Sequence, residues 1–247
     1  MRSKIVMLVA AALSLGFAQA AWAADMPAKA PIVKAPVVMP FSWTGFYIGG
    51  VVGYGWATGQ HCDRDTCALP GVVYPETDPN GWNGGITVGY NYQIAQWVLG
   101  LEGDWSWADM HGSSPSTTGF GCGATAGVDG CFTKIKSFET ARARVGYAFD
   151  RWLPYITAGA AFTQIDASLG TPTLASGSTT KTSFVVGGGL EYAFWQNFSA
   201  KAEYLYISKL GDFLYGPTIC GAPGCFAHTS AVNEIRFGLN YRFGNLF

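Results

Sequence analysis

Apolar and polar residues alternate between positions 82 and 94, which read W-N-G-G-I-T-V-G-Y-N-Y-Q-I. Successive side chains of a strand point to opposite faces, so this segment predicts a strand with one apolar and one polar face. The pattern recurs along the chain. It predicts eight strands, at 43–57, 82–94, 97–108, 133–149, 153–163, 183–194, 198–207 and 231–243.

The connections between the predicted strands alternate between short and long. Residues 95–96, 150–152 and 195–197 form the short ones, and the other four are rich in Gly, Ser, Thr, Pro and Asp. Tight turns at one end and long loops at the other indicate an antiparallel up-and-down sheet. An even strand count brings both termini to the short-turn end, and closure removes exposed edges. The predicted fold is all-β, an eight-stranded transmembrane β-barrel.

The N-terminus predicts export. Arg2 and Lys4 precede an apolar run at 5–18, and Ala21-Trp22-Ala23 supplies a cleavage site, with Ala18-Gln19-Ala20 as the alternative. We therefore divide the chain into a signal peptide (1–23), a Pro/Ala-rich periplasmic linker (24–42) and the barrel (43–247). Cleavage leaves 13 of the 15 basic residues and all 16 acidic residues, a net charge of −3. This charge is too small to indicate nucleic acid or another charged partner.

Charged residues decide which strand face meets lipid. An Arg or Lys facing mid-bilayer lipid costs about 2–4 kcal/mol, so the face without charges is predicted to be the outer one. Glu139 falls on the apolar face by parity, and we place it at the outer rim. Ten charges fall on the other face and form the predicted lumen network: Glu102, Asp104, Arg142, Arg144, Glu191, Lys201, Glu203, Glu234, Arg236 and Arg242.

Five acidic and five basic lumen residues allow two interpretations. Eight strands enclose an interior that side chains can fill, which favours a packed, ion-paired core over an open, selective channel. Aromatic residues near both strand ends predict two girdles at the membrane interfaces.

Six cysteines form three local pairs in the predicted outer loops: Cys62/Cys67, Cys122/Cys131 and Cys220/Cys225. In an exported protein this arrangement favours disulfides, although fifteen connectivities are possible. The alternative is a metal site that includes His61, but the spacings match no common zinc pattern. We predict no metal site.

Three segments resemble a known family: F-S-W-T-G-F-Y-I-G-G at 41–50, T-A-R-A-R-V-G-Y-A-F-D-R-W-L-P-Y-I-T-A-G-A-A-F at 140–162, and R-F-G-L-N-Y-R-F at 236–243. They resemble the alphaproteobacterial outer-membrane β-barrel family, a group of surface antigens often labelled porin-family proteins. The resemblance covers residues 41–247, and the layout is distantly similar to the membrane domain of OmpA. It implies an outer-membrane location, with extracellular loops and periplasmic termini.

The resemblance also implies partners and an assembly signal. The partners would be outer-membrane lipid, lipopolysaccharide, periplasmic chaperones and the barrel assembly machinery; the oligomeric state stays open. That machinery reads alternating apolar residues in the last strand, which Asn245 interrupts. The residues that fit the signal are Leu239, Tyr241, Phe243 and Phe247.

We expect a structural role without a cofactor or enzymatic activity: support of the envelope and presentation of loops for surface interaction. The main alternative is a narrow porin for passive diffusion of small solutes. Because the family includes haem-binding surface proteins, haem or ligand binding by the loops is a third possibility. Finally, His228-Thr229-Ser230 with Glu234 resembles the His-x-Ser arrangement of lipid A deacylases, but Ala231 stands where those enzymes carry Asn.

Overall fold

The computed structural model describes residues 41–62, 76–115, 130–169, 173, 175–215 and 225–243. Nearly all of these residues lie in strands or in the short turns that join them. The strands are β1 (Gly45–Cys62), β2 (Asn80–Ile94), β3 (Trp97–Pro115), β4 (Gly130–Tyr147), β5 (Trp152–Leu169), β6 (Ala175–Ala193), β7 (Phe198–Ile207), β8 (Gly211–Tyr215) and β9 (Cys225–Arg242).

The strands close into a ring. Neighbours in sequence pair antiparallel from β1 to β7, and β9 pairs with both β7 and β1. β7 pairs with the C-terminal part of β9, and the short β8 pairs with the N-terminal part of the same strand. β7 and β8 are therefore two parts of one crossing. The ring therefore has eight crossings, which confirms the predicted fold class and strand count.

The outer face of the ring is apolar. Leu101 and Ile156 are each 69% exposed and Phe237 is 59% exposed, while the polar residues that alternate with them are buried. Such a surface is expected where lipid, rather than water, covers the strands. No helix among the described residues is long and apolar enough to cross a membrane.

The strands extend further toward the long connections than the sequence predicts. β3 ends at Pro115 instead of 108, β5 ends at Leu169 instead of 163, and β6 begins at Ala175 instead of 183. The predicted long connection between β5 and β6 is therefore reduced to residues 170–174. The polar composition of these segments is typical of loops, but their inner residues, such as Ile165, are fully buried.

Bulges change the inside–outside parity along two strands. On β4 the register shifts between Ile135 and Ser137, so that Ile135 and Phe138 are both buried. On β9 two residues, at 230 and 231, oppose the single Thr58 of β1. A bulge adds one residue and reverses the alternation beyond it. Extending the mid-strand parity past these points would therefore give the wrong face.

Candidate functional site: the charged lumen

Glycines on the inner faces of β1 and β3 make room for long side chains on the strands paired with them. A Cβ added at Gly53 would lie 2.9 Å from Arg236 Cβ and from Asn83 Oδ1, and one at Gly100 would lie 2.9 Å from Arg144 Cγ. The glycines within the alternating pattern thus have a steric role: they leave room beside them for the large charged residues that are their partners on the neighbouring strands.

Arg142 and Arg236 form the centre of the lumen network. Arg142 Nη2 lies 2.9 Å from Asp104 Oδ2, and its Nη1 lies 2.9 Å from Glu203 Oε1. Arg236 bonds the same two carboxylates, with Nε 2.6 Å from Glu203 Oε2 and Nη1 3.0 Å from Asp104 Oδ1. Arg142 also pairs with Glu102. Two guanidinium groups are therefore held among three carboxylates.

Lys201 and Arg144 extend the network toward the short turns. Lys201 Nζ lies 2.7 Å from Glu102 Oε2, and Arg144 Nη2 lies 2.9 Å from Glu191 Oε2. Arg144 Nη1 is 3.6 Å from Glu102 Oε2, which links the two halves. The structure thus brings together eight of the ten residues that the sequence assigns to the lumen network.

Neutral side chains complete the hydrogen bonding of the carboxylates. The sequence interpretation did not name them, although their inward parity on the same strands was a usable signal. Buried charges of this kind are tolerated when pairing and hydrogen bonds satisfy them. The bonds are Tyr47 OH to Glu102 (2.7 Å), Tyr155 OH to Glu203 (3.1 Å), Thr140 Oγ1 to Asp104 (2.6 Å), and Ser199 Oγ (2.5 Å) and Asn240 Nδ2 (2.9 Å) to Glu191.

The other two predicted members differ from the expectation. Glu234 is buried in the lumen, but its Oε1 has no hydrogen-bond partner among the described residues. Arg242 lies at the short-turn end, where its guanidinium stacks 4.4 Å from the Phe41 ring and its Nη2 bonds Gln196 O at 2.5 Å. Arg242 lies closer to the short turns than the ion-paired residues do, which explains why it is not part of their network.

The short-turn end of the lumen is closed by an apolar cluster around Trp43. We predicted Trp43 as the first strand residue, but it precedes β1 and is only 1% exposed. Its Nε1 donates to Asp150 O at 3.2 Å, and its backbone N–H donates to Gln93 Oε1 at 2.7 Å. The residues that pack in this cluster are Val98, Ala148, Leu153 and Ala193, with Phe41 against them.

The opposite end of the lumen is also apolar inside. Its largest fully buried side chains are Met110, Ile135, Phe138, Ile165, Leu205 and Ile207. Above them, Thr77 Oγ1 bonds Thr133 Oγ1 at 3.0 Å, and Thr133 also bonds His61 Nε2 at 2.8 Å. The charged layer therefore lies between two apolar layers.

The network residues have almost no contact with solvent. Glu102 is 4% exposed, Arg142 is 3% exposed and Arg236 is 1% exposed. A water-filled lumen would leave water-accessible area on these side chains. The arrangement is that of a packed polar core.

The other candidate sites are less organised. Cys131 is buried on the inner face of β4 and is not a free thiol. The described residues do not include the side chains of Cys62 and Cys225, or any part of Cys67, Cys122 and Cys220. The disulfide pairing therefore stays a prediction. Within the described ranges, no group of three His, Cys, Asp or Glu is arranged to hold a metal ion.

The His-x-Ser segment does not form a catalytic arrangement. His228 bonds the Asp212 carboxylate, whereas Ser230 Oγ accepts from Thr58 N at 3.1 Å and donates to Ala231 O at 3.4 Å. Glu234 points into the lumen. The base, hydroxyl and acid that a deacylase needs are therefore not brought together.

The outer face carries the remaining predicted residues. Leu239, Tyr241 and Phe243 are exposed, whereas Phe247 lies outside the described residues. Glu139 is exposed on the outer face, directly opposite Trp105 on β3 and Phe162 on β5. It thus lies among aromatic residues of the loop-side girdle.

A closed eight-crossing ring with an apolar outer face and a packed polar lumen defines a small β-barrel of the outer-membrane class. The sequence matches the family described as "Outer membrane protein beta-barrel domain" over residues 9–243, and the chain belongs to that family.

Several relatives support this assignment. The chain is 32% identical to the 31 kDa outer-membrane immunogenic protein of Brucella melitensis, across 96% of this chain and 99% of the relative. It is 29% identical to a 22 kDa outer membrane protein of Rhizobium leguminosarum, across 85% and 82%. The crystal structure of the outer membrane protein OprG from Pseudomonas aeruginosa shares the fold, with a TM-score of 0.56 and 14% identity over 81% of this chain and 97% of OprG. The protein is thus an outer-membrane β-barrel related to immunogenic surface proteins of alphaproteobacteria.

Proposed function

We propose that this protein is a non-conducting, non-enzymatic barrel that supports the outer membrane and presents its loop-side strands at the cell surface. The observation that carries the proposal is the ion-paired lumen, enclosed between two apolar layers. Eight strands enclose a space that side chains can fill, and here long charged residues from five of the strands occupy it. The names of the relatives describe outer-membrane and immunogenic proteins, in keeping with a surface role.

The proposal includes the direction of insertion and the partners. Residues 1–23 act as the signal peptide, the termini are periplasmic, and the long connections are extracellular and stapled by local disulfides. Lipopolysaccharide surrounds the loop-side girdle, periplasmic chaperones deliver the chain, and the barrel assembly machinery recognises the last strand. Two aromatic bands support the position of the membrane between them, as in Trp97 packed on Tyr147 at the short-turn side and Trp105 packed on Trp107 at the loop side.

Planar-bilayer conductance tests the packed lumen. We expect the native protein to insert without stable channel openings, because no continuous water path passes the ion pairs. The comparison is the double variant Arg142→Ser/Glu203→Ser, which removes one bonded pair (2.9 Å) and leaves the lumen charge balanced. This variant opens space at the centre of the network, but the apolar layers at both ends remain, so it should conduct no more than the native protein.

Folding of both proteins is checked by the heat-dependent gel mobility of the intact barrel. Stable openings of the native protein, absent from protein-free bilayers, would establish the narrow porin instead. If the double variant does not fold, the native measurement still decides between the two functions.

A further inference from the structure

Glu234 is a lumen carboxylate that stays outside the hydrogen bonding of the charged network. Its Oε1 has no hydrogen-bond partner among the described residues, and the residue is only 2% exposed. Its ladder neighbours are Leu205 on β7 and Gly55 on β1. Leu205 and Val232, which precedes Glu234 on the same face of β9, belong to the loop-side apolar layer. Glu234 therefore lies where the charged layer meets this apolar layer.

The ion-paired network is electrically balanced without Glu234. Its eight members form four bonded pairs, each of one carboxylate with one cationic group: Asp104 with Arg142, Glu191 with Arg144, Glu102 with Lys201, and Glu203 with Arg236. An ionised Glu234 would add one negative charge with no counterpart in this set. A buried charge of this kind is costly unless it is paired or neutralised.

The cationic groups closest to Glu234 are already bound to other carboxylates. The charged groups that act on it come from four strands: Arg236 on β9 itself, Asp104 on β3, Arg142 on β4 and Glu203 on β7. Arg236 directs Nε to Glu203 and both terminal nitrogens to Asp104, at 2.6–3.2 Å. Arg142 directs Nη1 to Glu203 and Nη2 to Asp104, at 2.9 Å each. Neither guanidinium turns to Glu234.

We propose that Glu234 binds a proton when the barrel folds, so that the packed lumen is electrically neutral. A metal ion or a water molecule beside the carboxylate needs a cavity of its own, and the close packing around Glu234 provides none. A proton needs no such space, and buried carboxyl groups without a partner commonly neutralise in this way. The inference goes beyond the structural role proposed above.

This proton makes the stability of the barrel depend on pH. Glutamate in an unfolded chain has a pKa of about 4.3, so at neutral pH the unfolded protein carries Glu234 as the carboxylate. Folding then takes up one proton from the solvent and places it on this side chain. A folded state that binds more protons than the unfolded chain loses stability as the pH rises. Glu234 alone should therefore favour the folded barrel on acidification.

A comparison of the native protein with Glu234→Gln tests the proton uptake. Glutamine has nearly the same shape and is neutral in both states, so the variant takes up no proton at this position. Urea unfolding in lipid vesicles gives the unfolding equilibrium constant of each protein. The ratio of the native constant to the variant constant should rise about tenfold for each pH unit between about pH 5 and pH 7. A ratio that stays constant over this range would overturn the proposal.

Glu139→Gln is the matched control, because it makes the same substitution at an exposed position on the outer face. Glu139 is accessible in both states and should take up no proton on folding. The ratio of the native constant to that of Glu139→Gln should therefore not change with pH. An equal slope for both variants would show that the effect does not come from the buried carboxyl group.

The protonation state can also be read directly in the native protein. NMR of the Glu234 side-chain carboxyl carbon, in lipid nanodiscs at neutral pH, distinguishes a carboxylic acid from a carboxylate by chemical shift. We expect the shift of the neutral acid, and the shift of a carboxylate would overturn the proposal even if Glu234→Gln does not fold. These measurements do not depend on conductance, so this inference and the proposed function can fail separately.

Discussion

Arg142 contacts three carboxylates inside the barrel, and each of them has at least one other cationic partner. This sharing matters because a buried charge costs several kcal/mol unless its partners are in place. The network therefore specifies how the strands fit together more than it adds net stability. An exposed pair such as Lys136–Asp166 on the outer face has no comparable role.

Truncation at these two positions should separate the two kinds of ion pair. Arg142→Ala leaves Glu102, Asp104 and Glu203 short of partners and should lower the free energy of unfolding by about 3–5 kcal/mol. Lys136→Ala removes a lysine that is 45% exposed and should change it by less than about 1 kcal/mol. Urea unfolding in lipid vesicles, followed by tryptophan fluorescence, measures both, and similar losses would show that the lumen pairs do not organise the core.

At the scale of the strand, the two faces impose different limits on neighbouring residues. Gly84 and Gly85 are adjacent on β2, and a Cβ added at Gly85 would lie 2.1 Å from Trp105 O. The nearest atom to a Cβ at Gly84 is Val51 O, at 3.5 Å. The inner face of this strand is crowded, whereas the outer face accepts a larger residue.

Alanine at each glycine should therefore have opposite effects. Gly85→Ala forces the β2–β3 ladder apart and should destabilise the barrel by about 1–3 kcal/mol. Gly84→Ala is expected to be neutral or to stabilise by up to about 1 kcal/mol, because it restricts the unfolded chain. The same urea titration compares the two variants, and a larger loss for Gly84→Ala would contradict the assigned faces.

At the scale of the whole molecule, the strands are longer than the membrane requires. The 19 residues of β6, at about 3.3 Å each and a tilt of about 40°, span roughly 48 Å along the membrane normal, against an apolar band of about 25 Å. The excess lies at the loop end, where the lumen changes from charged to apolar side chains and the outer face becomes polar. A small sheet therefore projects beyond the membrane.

The direction of this projection can be measured with one epitope tag at two places. Thr173 and Gln196 are exposed and lie beyond opposite ends of β6. A tag inserted at Thr173 should bind antibody on intact cells. The same tag at Gln196 should bind only after the outer membrane is permeabilised, and the reverse pattern would invert the proposed orientation.

Sequence patterns predicted the membrane-spanning half of the barrel well, because lipid allows one kind of outer face. The parity of Glu102, Arg142 and Arg236 could be counted directly from neighbouring apolar residues, and all three lie inside. Trp43 was misassigned, because a strand pattern does not show that a preceding aromatic side chain turns into the mouth of the barrel. The extensions of β3 to β6 were missed because their polar outer positions resemble loop sequence.

The sequence by itself determined the fold class, the number of crossings and the identity of the lumen charges, since alternation and the cost of charge in lipid act locally along each strand. Only the tertiary structure decided which charges pair, because the partners lie on different strands and their contacts depend on register and closure. It also decided where the bulges reverse parity, that apolar layers close both ends of the lumen, and that Glu234 Oε1 lacks a hydrogen-bond partner among the described residues. These features depend on how eight strands of unequal length meet around one ring.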